Sequence, residues 1–482
     1  MARRAKLDLA SETKEVMAQS NDALWGGRFA TGPADAMAAL SKSTHFDWRL
    51  ALYDLRGTAA HIKALNKAGL LTDEELAVLD KAVKELAKRV ETGSFKPRAE
   101  EEDVHAALER GLIEIAGNEA GAKVRAGRSR NDQIATLIRL YMLDAADALE
   151  SWLLDYIDAL SSKAEEYMGV SMAGRTHLQH AQPILLSHHL AAHAWPQVRN
   201  LQRIEDFRKR AKKSPYGSAA LAGNSFGMDV EMIAQELGFS STTENSLDAT
   251  SSRDLVAEFS FILSLVAIDL SRFAEEIIAW ATLDFGYLRL SDEFSTGSSM
   301  MPQKKNPDVA ELARGKSGRI IGNLTGLLAT LKALPLAYNR DLQEDKEPLF
   351  DSVDSLALLM PAFIGMVRTM EFDRSRLEAT ATDGYSLATD VAEWLVKQGV
   401  AFREAHEITG QLVQFCEQKG AGLQELSDEE YQGISRHLKP EIRKVLTLSS
   451  SIESKTGPGG TSSKQVIEQL VQLRKLTGKG KK

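Results

Sequence analysis

The sequence predicts an all-α protein built around a bundle of long helices. Only 12 of its 482 residues are proline, which is about half the usual frequency of roughly 5%. The segment from Asn131 to Met168 contains neither glycine nor proline, and the same holds for the segment from Ser241 to Phe285. Apolar residues recur at helical spacing through both segments, so each is predicted to be one long helix. Long helices with short polar connections are typical of helix bundles.

Proline positions predict where two further long helices begin. Pro183 can open one of them, although Pro196 lies within that helix, lacks a backbone N–H donor and should kink it. Pro307 is expected as the first residue of the other, which runs to about Leu334, just before Pro335. These two helices complete the predicted bundle.

The helix that starts at Pro307 carries four glycines spaced three or four residues apart, so that they share one face. Each costs about 0.8–1 kcal/mol of helix propensity relative to alanine. That cost is reasonable if another helix backbone packs closely against this face; the alternative is a weak or broken helix. The glycines are Gly315, Gly318, Gly322 and Gly326.

The length of the chain is sufficient for about three domains. The first third contains shorter helices, such as the one predicted at Thr72–Val90, which begins with a Thr72–Glu75 capping pattern. After about Asp373 the helical pattern shortens again. We therefore expect three domains, namely an N-terminal α domain, a central long-helix bundle domain and a small C-terminal α domain, with bounds 1–129, 130–376 and 377–482.

The composition excludes several classes of protein. The 59 lysines and arginines are outnumbered by 67 aspartates and glutamates, which gives a net charge of −8. A chain without excess positive charge is not expected to bind nucleic acid or an anionic membrane surface. The longest uncharged apolar runs, 259–268 and 356–367, are shorter than the roughly 20 residues of a transmembrane helix. We expect both runs to be buried helices.

The single cysteine and the N-terminal stretch indicate a reducing compartment. Cys416 alone excludes an intrachain disulfide and a cysteine-rich zinc site, and we expect it to be a small core residue. The N-terminal stretch contains arginine but no apolar segment of the kind found in signal peptides, and Asp8 and Glu12 argue against a transit peptide. We therefore expect a cytoplasmic protein.

The most informative segment is GSSMMPQKKNPD at residues 297–308. It places the hydroxyls of Ser298 and Ser299 and the ammonium group of Lys304 in a loop bounded by glycine and proline. The loop leads into a helix N-terminus, where backbone N–H groups and the helix dipole favour an anion. One interpretation is a mobile anion-binding loop. The other is a polar connection between two helices, because Ser, Gly, Lys and Pro are common in loops.

This segment resembles the signature loop of the fumarase/aspartase superfamily, whose members release fumarate by β-elimination. Its QKKNPD ending resembles the argininosuccinate lyase/δ-crystallin family in particular. The resemblance runs from about residue 25 to the end of the chain and is most specific through residue 351. Other segments that match the same family in order are WGGRF at 25–29, GRSRNDQ at 127–133, RTHLQHAQP at 175–183, ALAGN at 220–224, NSLDATSSRD at 245–254, YNRDLQEDKEPLFD at 338–351 and FREAH at 402–406.

The resemblance implies a fold, an activity and an assembly. The fold is the all-α, three-domain fumarase/aspartase-like fold, whose central long helices are pooled in a homotetramer. The activity is β-elimination of argininosuccinate to L-arginine and fumarate, the last step of arginine biosynthesis, without a cofactor or a metal. Each active site in that family combines segments of three subunits. Here His177, Ser298 and the Asn131 loop would then come from separate chains.

The implied reaction needs a base, a cation and a proton donor. A base must remove the weakly acidic Cβ proton beside a carboxylate while a positive site stabilises the doubly charged aci-carboxylate. The resemblance implies that Ser298 is the general base and that Lys304 stabilises the intermediate. It also implies that His177 forms a buried pair with Glu311, which raises the basicity of the imidazole. A second assignment makes His177 the base and Ser298 the proton donor, and the sequence leaves both open.

Substrate carboxylates need fixed cations and polar donors, and Arg130 could form a bidentate contact. The family supplies carboxylate contacts from the GRSRNDQ and RTHLQ segments, and contacts to the arginine-bearing portion from the YNRDLQEDKE segment. Arg128 and Asp132 of the first segment are expected to form a solvated charged turn instead. The substrate-binding positions that the resemblance implies are Ser43, Ser129, Arg130, Asn131, Thr176, Asn306, Tyr338, Gln343 and Lys346.

Three alternatives compete with this interpretation. A metal hydrolase is suggested by the histidines between residues 177 and 193, of which His189 and His193 are four apart on a helical face. We do not expect a metal, because there is no HExxH motif and no carboxylate in a recognised ligand spacing. Adenylosuccinate lyase is similar, but its loop resembles MPxKRNP rather than MPQKKNP. A structural crystallin-like relative without activity is disfavoured by the intact Ser298 and Lys304.

Overall fold

Helices dominate the chain in a computed structural model, which describes residues 34–478. The chain divides into two units, Met1–Ala126 and Gly127–Lys482. The WGGRF match at 25–29 and the last four residues, 479–482, lie outside the described residues. The expected all-α class is confirmed in this broad sense, with short strands added to the second unit.

The first unit is a small helical body in which the Thr72 and Asp103 side chains cap helix N-termini. Its α-helices are α1 (Asp35–Ser41), α2 (Thr44–Asp47), α3 (Ala51–Lys67), α4 (Asp73–Glu91), α5 (Val104–Ala116) and α6 (Asn118–Gly121), and its 3-10 helices are Trp48–Leu50 and Ala122–Arg125. The predicted capping pattern of α4 is confirmed, because the Thr72 hydroxyl accepts a hydrogen bond from the Glu75 N–H and the Glu75 carboxylate accepts one from the Thr72 N–H. The helices α3, α4 and α5 pack on one another.

The second unit contains the long helices and four two-stranded sheets. Its α-helices are α7 (Arg130–Glu166), α8 (Leu186–Ala211), α9 (Val230–Glu236), α10 (Ser246–Ser251), α11 (Asp254–Trp280), α12 (Asp308–Leu331), α13 (Lys346–Thr369), α14 (Arg374–Thr380), α15 (Ala388–Lys397), α16 (Phe402–Lys419), α17 (Asp428–Ile434), α18 (Leu448–Glu453) and α19 (Ser463–Leu476). Its 3-10 helices are Asp292–Phe294, Arg340–Asp345, Asp383–Tyr385, Leu423–Glu425 and Pro440–Lys444.

The strands of the second unit pair in four short ladders. β1 pairs with β2, β5 with β8 and β6 with β7, all antiparallel, whereas β3 pairs with β4 in parallel. The strands are β1 (Ser171–Thr176), β2 (Gln179–Leu185), β3 (Lys213–Ser214), β4 (Ser241–Thr242), β5 (Leu288–Arg289), β6 (Thr296–Gly297), β7 (Lys305–Asn306) and β8 (Glu371–Phe372).

A bundle of five helices forms the body of the second unit. α11 lies against α8 and α12, α7 lies against α8 and α13, and α12 lies against α13. The 37 residues of α7 confirm the long helix predicted at 131–168. Leu149, Leu153 and Leu160 of this helix are fully buried, because apolar side chains at helical spacing all face the bundle.

The continuous helix predicted over 241–285 is wrong. This segment holds β4, α10 and α11. The Asn245 side chain caps α10 by accepting hydrogen bonds from two backbone N–H groups, and the backbone becomes extended again at Ser252. Asparagine and serine interrupt a helix even without glycine or proline, since their side chains offer the backbone other partners. After the break, the guanidinium of Arg253 lies buried 2.5 Å from the Asp345 carboxylate.

Pro183 lies in β2 and does not open a helix, contrary to the prediction. It stands opposite Ala173, and the ladder between the two strands is irregular between Ala173 and Arg175. A proline cannot donate a ladder hydrogen bond, and so it fits a short sheet at such an irregular point. α8 begins after β2 and continues through Pro196.

The helix predicted from Pro307 is α12, with Pro307 as the residue just before its first turn. It is unbroken over 24 residues, so the alternative of a broken helix is wrong. A Cβ atom built on any of its four glycines would meet nothing within 4 Å beyond the helix's own backbone, as far as the described residues extend. Leu312, Ile321 and Leu328 of the same helix are exposed. Much of the α12 surface is therefore open within one chain.

Among the described residues, one segment, Arg340–Thr369, is long and apolar enough to cross a membrane by length and composition alone. The core helix of a soluble protein passes the same test. Its most apolar window is 56% buried within the chain, and α13 packs against α7, α11 and α12. These contacts favour the expectation that the apolar run 356–367 is a core helix.

Residues 387–446 enclose a further apolar core in the second unit. Cys416 is fully buried there with Leu412 and Tyr431, which confirms the prediction of a core cysteine, and burial raises the pKa of its thiol. α19 packs along α7 and α8 instead. The division into three domains stays a prediction.

Candidate active site

The loop that carries Ser298 and Lys304 is closed at its base by a small hairpin. β6 pairs with β7, so the loop between them begins and ends at the same place. The ammonium group of Lys305 contacts the Asp292 carboxylate and donates to the Leu290 carbonyl at 3.3 Å. The tip of the loop is open to solvent, with Met300 87% exposed. The loop therefore has a fixed base and an exposed tip.

The Ser298 hydroxyl is held by the backbone of its own loop. Its Oγ accepts hydrogen bonds from the N–H groups of Met300 at 3.2 Å and Met301 at 3.0 Å. Two N–H donors on one oxygen would stabilise negative charge there, and an unaided serine hydroxyl is far too weak an acid to act as a base. Lys304 stands in the same loop with its side chain exposed. This arrangement fits a serine that becomes an alkoxide.

His177 lies at the tip of the hairpin formed by β1 and β2. Thr176 pairs with Gln179, so that His177 and Leu178 form a two-residue turn. Both turn residues have positive φ, 54° for His177 and 62° for Leu178. This left-handed conformation suits the twist of a hairpin, but it costs about 1–3 kcal/mol for each residue other than glycine. The strained turn presents the exposed imidazole to solvent.

Arg175 holds this turn in place, a role that the sequence analysis missed. Its guanidinium donates to the Leu178 carbonyl at 3.0 Å, to His180 Nε2 at 2.6 Å and to the Tyr287 hydroxyl at 3.1 Å. It also lies over the Phe285 ring, 5.1 Å from the ring centroid. Because a guanidinium only donates, His180 Nε2 must be the acceptor, and the His180 proton then sits on Nδ1. Arg175 therefore stabilises the strained turn by its hydrogen bond to the Leu178 carbonyl.

Asp132 is buried, and the prediction of a solvated charged turn is wrong for it. Its carboxylate accepts hydrogen bonds from the backbone N–H groups of Ser129 at 3.1 Å, Gly217 at 3.0 Å and Ala219 at 2.8 Å. Burial raises the pKa of Asp132 to about 6, against the opposing effect of these hydrogen bonds. The carboxylate thereby joins the start of α7 to the loop at 217–219, where Ala219 has a φ of 53°.

An open cleft of about 520 Å³ lies between the two segments that Asp132 joins. Residues 127–129 line one side, and Ala219 and residues 222–226 line the other. Asn131 donates to the Ala220 carbonyl at 2.9 Å. The fold thus brings the GRSRNDQ and ALAGN segments together, and Ser129 and Arg128 both line the cleft. Arg128 is half-buried there, and the solvated turn stays a prediction for it.

We predict that Asp132→Asn lowers the stability of the protein and its affinity for substrate. An amide presents an NH₂ group to backbone N–H donors, and the loss of a hydrogen bond to a charged group costs about 1.5–3 kcal/mol. Chemical denaturation should show this loss, and KM should rise more than kcat falls, because the cleft loses its shape while the loop of Ser298 stays intact. Asp155→Asn, an exposed carboxylate of α7, is the matched control. Equal stability of Asp132→Asn and the native chain would contradict the assignment.

Lys346 is buried in an ion cluster, away from any open surface. Its ammonium group donates to the Asp345 carboxylate at 2.8 Å and to the Leu342 carbonyl at 3.4 Å. The other oxygen of Asp345 accepts a hydrogen bond from Arg253 Nε at 2.5 Å. Two cations on one buried carboxylate join the end of the 3-10 helix at Arg340–Asp345 to Arg253, the residue just before α11. The Lys346 ammonium group is therefore bound within the chain.

Ser43 is also buried, in the first unit. Its hydroxyl donates to the Asp47 carboxylate at 2.6 Å, and its N–H donates to the Glu102 carbonyl at 2.8 Å. These bonds give Ser43 a local structural role. The predicted contact of Ser43 with substrate has no support in the geometry of this unit.

The buried pair expected between His177 and Glu311 is not formed within the described residues of one chain. Both residues are exposed. Glu311 lies in the first turn of α12, whereas His177 lies on the β1–β2 hairpin. Thr176 is exposed beside His177. The remaining predicted positions, Arg130, Asn306, Tyr338 and Gln343, are half-buried.

Comparison with known proteins defines the class of this chain. Residues 27–322 match the family model described as lyase. EDDS lyase in complex with formate superposes with a TM-score of 0.81 at 27% identity, over 92% of this chain and 89% of that one. The class II fumarase of Schistosoma mansoni has a TM-score of 0.70 at 18% identity, over 85% of this chain and 93% of its own, and shows the fold alone. The chain is a lyase with a fumarase-type fold.

The particular family follows from the rest of the chain. Residues 385–453 match the model described as argininosuccinate lyase C-terminal. The argininosuccinate lyase of Clavibacter michiganensis subsp. michiganensis is 58% identical over 451 residues, which cover 94% of this chain and 91% of that protein. The chain therefore belongs to the argininosuccinate lyase family. This result confirms the resemblance drawn from the motifs.

Proposed function

We propose that the chain catalyses the β-elimination of argininosuccinate to L-arginine and fumarate, as a cytoplasmic enzyme of arginine biosynthesis. The observation that carries the proposal is the loop 297–308, in which the Ser298 hydroxyl accepts two backbone hydrogen bonds close to Lys304 in sequence. The family membership, at 58% identity over 94% of the chain, supports the choice of substrate.

The proposed reaction divides its work among three groups. The alkoxide of Ser298 takes the Cβ proton, and the electron pair left behind is delocalised into the neighbouring carboxylate. Lys304 stabilises the resulting aci-carboxylate. The pair then forms the C=C bond as the C–N bond breaks, and a proton is delivered to the departing guanidinium nitrogen, which gives arginine and fumarate. The two N–H donors on Ser298 favour the serine as base, which leaves His177 with Glu311 as the route for the second proton.

We also propose that the active site is shared among chains of a homotetramer. His177 and Glu311 are exposed and unpaired with each other in a single chain, whereas proton transfer needs a site from which water is excluded. The glycine face of α12 is open as well, and such a face permits close packing of a second helix. Segments of neighbouring chains would therefore complete the site at the face of the bundle.

A direct assay tests the function. Purified protein is incubated with argininosuccinate and, separately, with adenylosuccinate, and fumarate release is followed by ultraviolet absorbance. We expect turnover of argininosuccinate alone. Turnover of adenylosuccinate alone would replace the proposed substrate, and no release from either compound would identify a silent structural relative.

Complementation between inactive variants is expected to restore activity. His177→Asn and Ser298→Ala proteins are mixed in equal amounts, dissociated in mild denaturant and reassociated. If each site draws these residues from different chains, about a quarter of the sites should hold both intact residues. Each variant taken alone through the same procedure is the control. A mixture that stays inactive although native mass spectrometry detects hybrid tetramers would contradict the shared site.

Exhaustive chelation is expected to leave the rate of fumarate release unchanged, because the proposed steps use only side chains and backbone groups. The protein is dialysed against EDTA and assayed with and without added Zn²⁺ or Mg²⁺. Loss of activity on dialysis that either ion restores would place a metal in the reaction and contradict the proposed chemistry.

A further inference from the structure

Two histidines of α8 and one carboxylate of α11 converge at a point where the two helices pack. His189 and His193 lie one helical turn apart, and Oε2 of Glu276 lies 2.6 Å from His189 Nε2 and 2.7 Å from His193 Nε2. One ligand atom from each residue lies within 4.8 Å of the other two. The exposed fraction of the side chain is 21% for His189, 15% for His193 and 35% for Glu276. The cluster is therefore half-buried and still open on one side.

We propose that His189, His193 and Glu276 form a binding site for one divalent transition-metal ion of the zinc, nickel and cobalt class. Imidazole nitrogens suit these ions, and three protein ligands leave further positions for water. The site joins two helices of the bundle and contains none of the candidate catalytic residues. Its role would be structural and separate from the proposed elimination.

The geometry needs only a small adjustment to accept an ion. Ligand atoms about 2.0–2.1 Å from a tetrahedral ion lie roughly 3.3 Å apart. The present hydrogen bonds of 2.6 and 2.7 Å would therefore open by about 0.6–0.7 Å. Each Nε2 proton would move to the Nδ1 of its ring, so that Nε2 offers a lone pair to the ion.

The donor set of the cluster also suits a cation. Two imidazole nitrogens and a carboxylate oxygen are ligands that divalent transition-metal ions accept. The positive charge of Arg272 close to His193 acts against an ion here, and the negative charge of Glu276 offsets it.

Aromatic neighbours hold the two imidazole rings in orientation. The His189 ring centroid lies 5.0 Å from that of Trp280, and the His193 centroid lies 4.3 Å from that of Phe273. Trp280 and Phe273 are themselves buried. The ligand side chains are therefore partly ordered before an ion arrives, which reduces the entropy that binding must overcome.

Metal titration of the full-length, untagged protein tests the proposal. The protein is stripped with EDTA, and Ni²⁺ or Zn²⁺ is titrated by calorimetry while Co²⁺ is titrated by visible absorbance. We expect one ion per chain and a Co²⁺ spectrum typical of nitrogen and oxygen ligands. His189→Ala/His193→Ala should weaken the affinity by more than about tenfold, since even the loss of an outer-shell partner costs about 10–100-fold. His188→Ala, on the same helix but outside the cluster, should bind as the native chain does.

A second variant keeps the test valid if the double variant fails to fold. Glu276→Gln keeps the size of the side chain and a hydrogen-bonding oxygen but removes the charge, and we expect it to fold, by circular dichroism, and to bind Ni²⁺ more weakly than the native chain. Equal stoichiometry and affinity in the native chain and in Glu276→Gln and the double variant would overturn the proposal, as would the absence of binding to the native chain.

Discussion

Ser298→Ala protein is expected to release fumarate about 10²–10⁴-fold more slowly than the native chain, which is the usual contribution of a positioned proton-transfer group. The substitution removes the oxygen that accepts the N–H groups of Met300 and Met301. The open cleft lined by residues 127–129, Ala219 and residues 222–226 is untouched, so argininosuccinate should still bind. The loss should therefore appear in kcat with little change in KM.

The measurement combines steady-state kinetics with isothermal titration of argininosuccinate. Ser299→Ala is the matched control, since it removes the neighbouring, exposed hydroxyl from the same loop and should keep most of the activity. Near-normal turnover in Ser298→Ala would remove the serine from the chemistry. Loss of binding would show instead that its role is to shape the loop.

Lys304→Met is expected to lower kcat by about 10²–10³-fold, as the loss of one preorganised group that stabilises the developing negative charge does in other enzymes. Lys304 is exposed in the loop, so its removal should cost little stability. Lys305→Met is the control of equal charge. Lys305 contacts Asp292 and the Leu290 carbonyl, and its loss should loosen the loop base and reduce the rate less.

The contrast between the two lysines separates two explanations. If the loop needs only net positive charge, Lys304→Met and Lys305→Met will lower kcat equally. If Lys304 contacts the intermediate, its variant will be much the slower of the two. Wild-type rates in Lys304→Met would exclude the residue from the site.

Sequence patterns predicted the parts of the fold that depend on near neighbours. α7 was predictable because apolar residues recur at helical spacing over a long segment without glycine or proline. α4 was predictable from a capping pair three residues apart. The false helix over 241–285 shows the limit of this reasoning, because only the competition of Asn245 and Ser252 for the backbone interrupts it. A search for capping residues inside a glycine-free segment would have found the break.

The candidate site was predictable where a motif carries it and not where distant residues meet. The loop of Ser298 and Lys304 was predictable from the motif GSSMMPQKKNPD at residues 297–308. The burial of Asp132 was not, because its partners Gly217 and Ala219 lie 85 and 87 residues away. Arg175 depends in the same way on Tyr287, 112 residues further on. An acidic residue next to charged residues in the sequence is predicted to be exposed to solvent unless its hydrogen-bond partners are known.

The pair expected between His177 and Glu311 has a different explanation. The family resemblance implies a buried pair, yet each residue is exposed on a separate element of one chain. A pattern in one sequence does not say which copy of the chain supplies each residue. This question belongs to the proposed assembly, and the complementation experiment addresses it.

The carboxylate of Asp132 also bears on how the protein opens. Its three backbone donors come from Ser129, at the cap of α7, and from Gly217 and Ala219, in the loop beside the cleft. Neither segment can detach from Asp132 without leaving a buried charge with fewer hydrogen bonds, which is costly. The first turn of the longest helix and the loop should therefore open together as one cooperative unit. Amide hydrogens of the loop would then exchange with solvent at the rate at which the end of α7 frays.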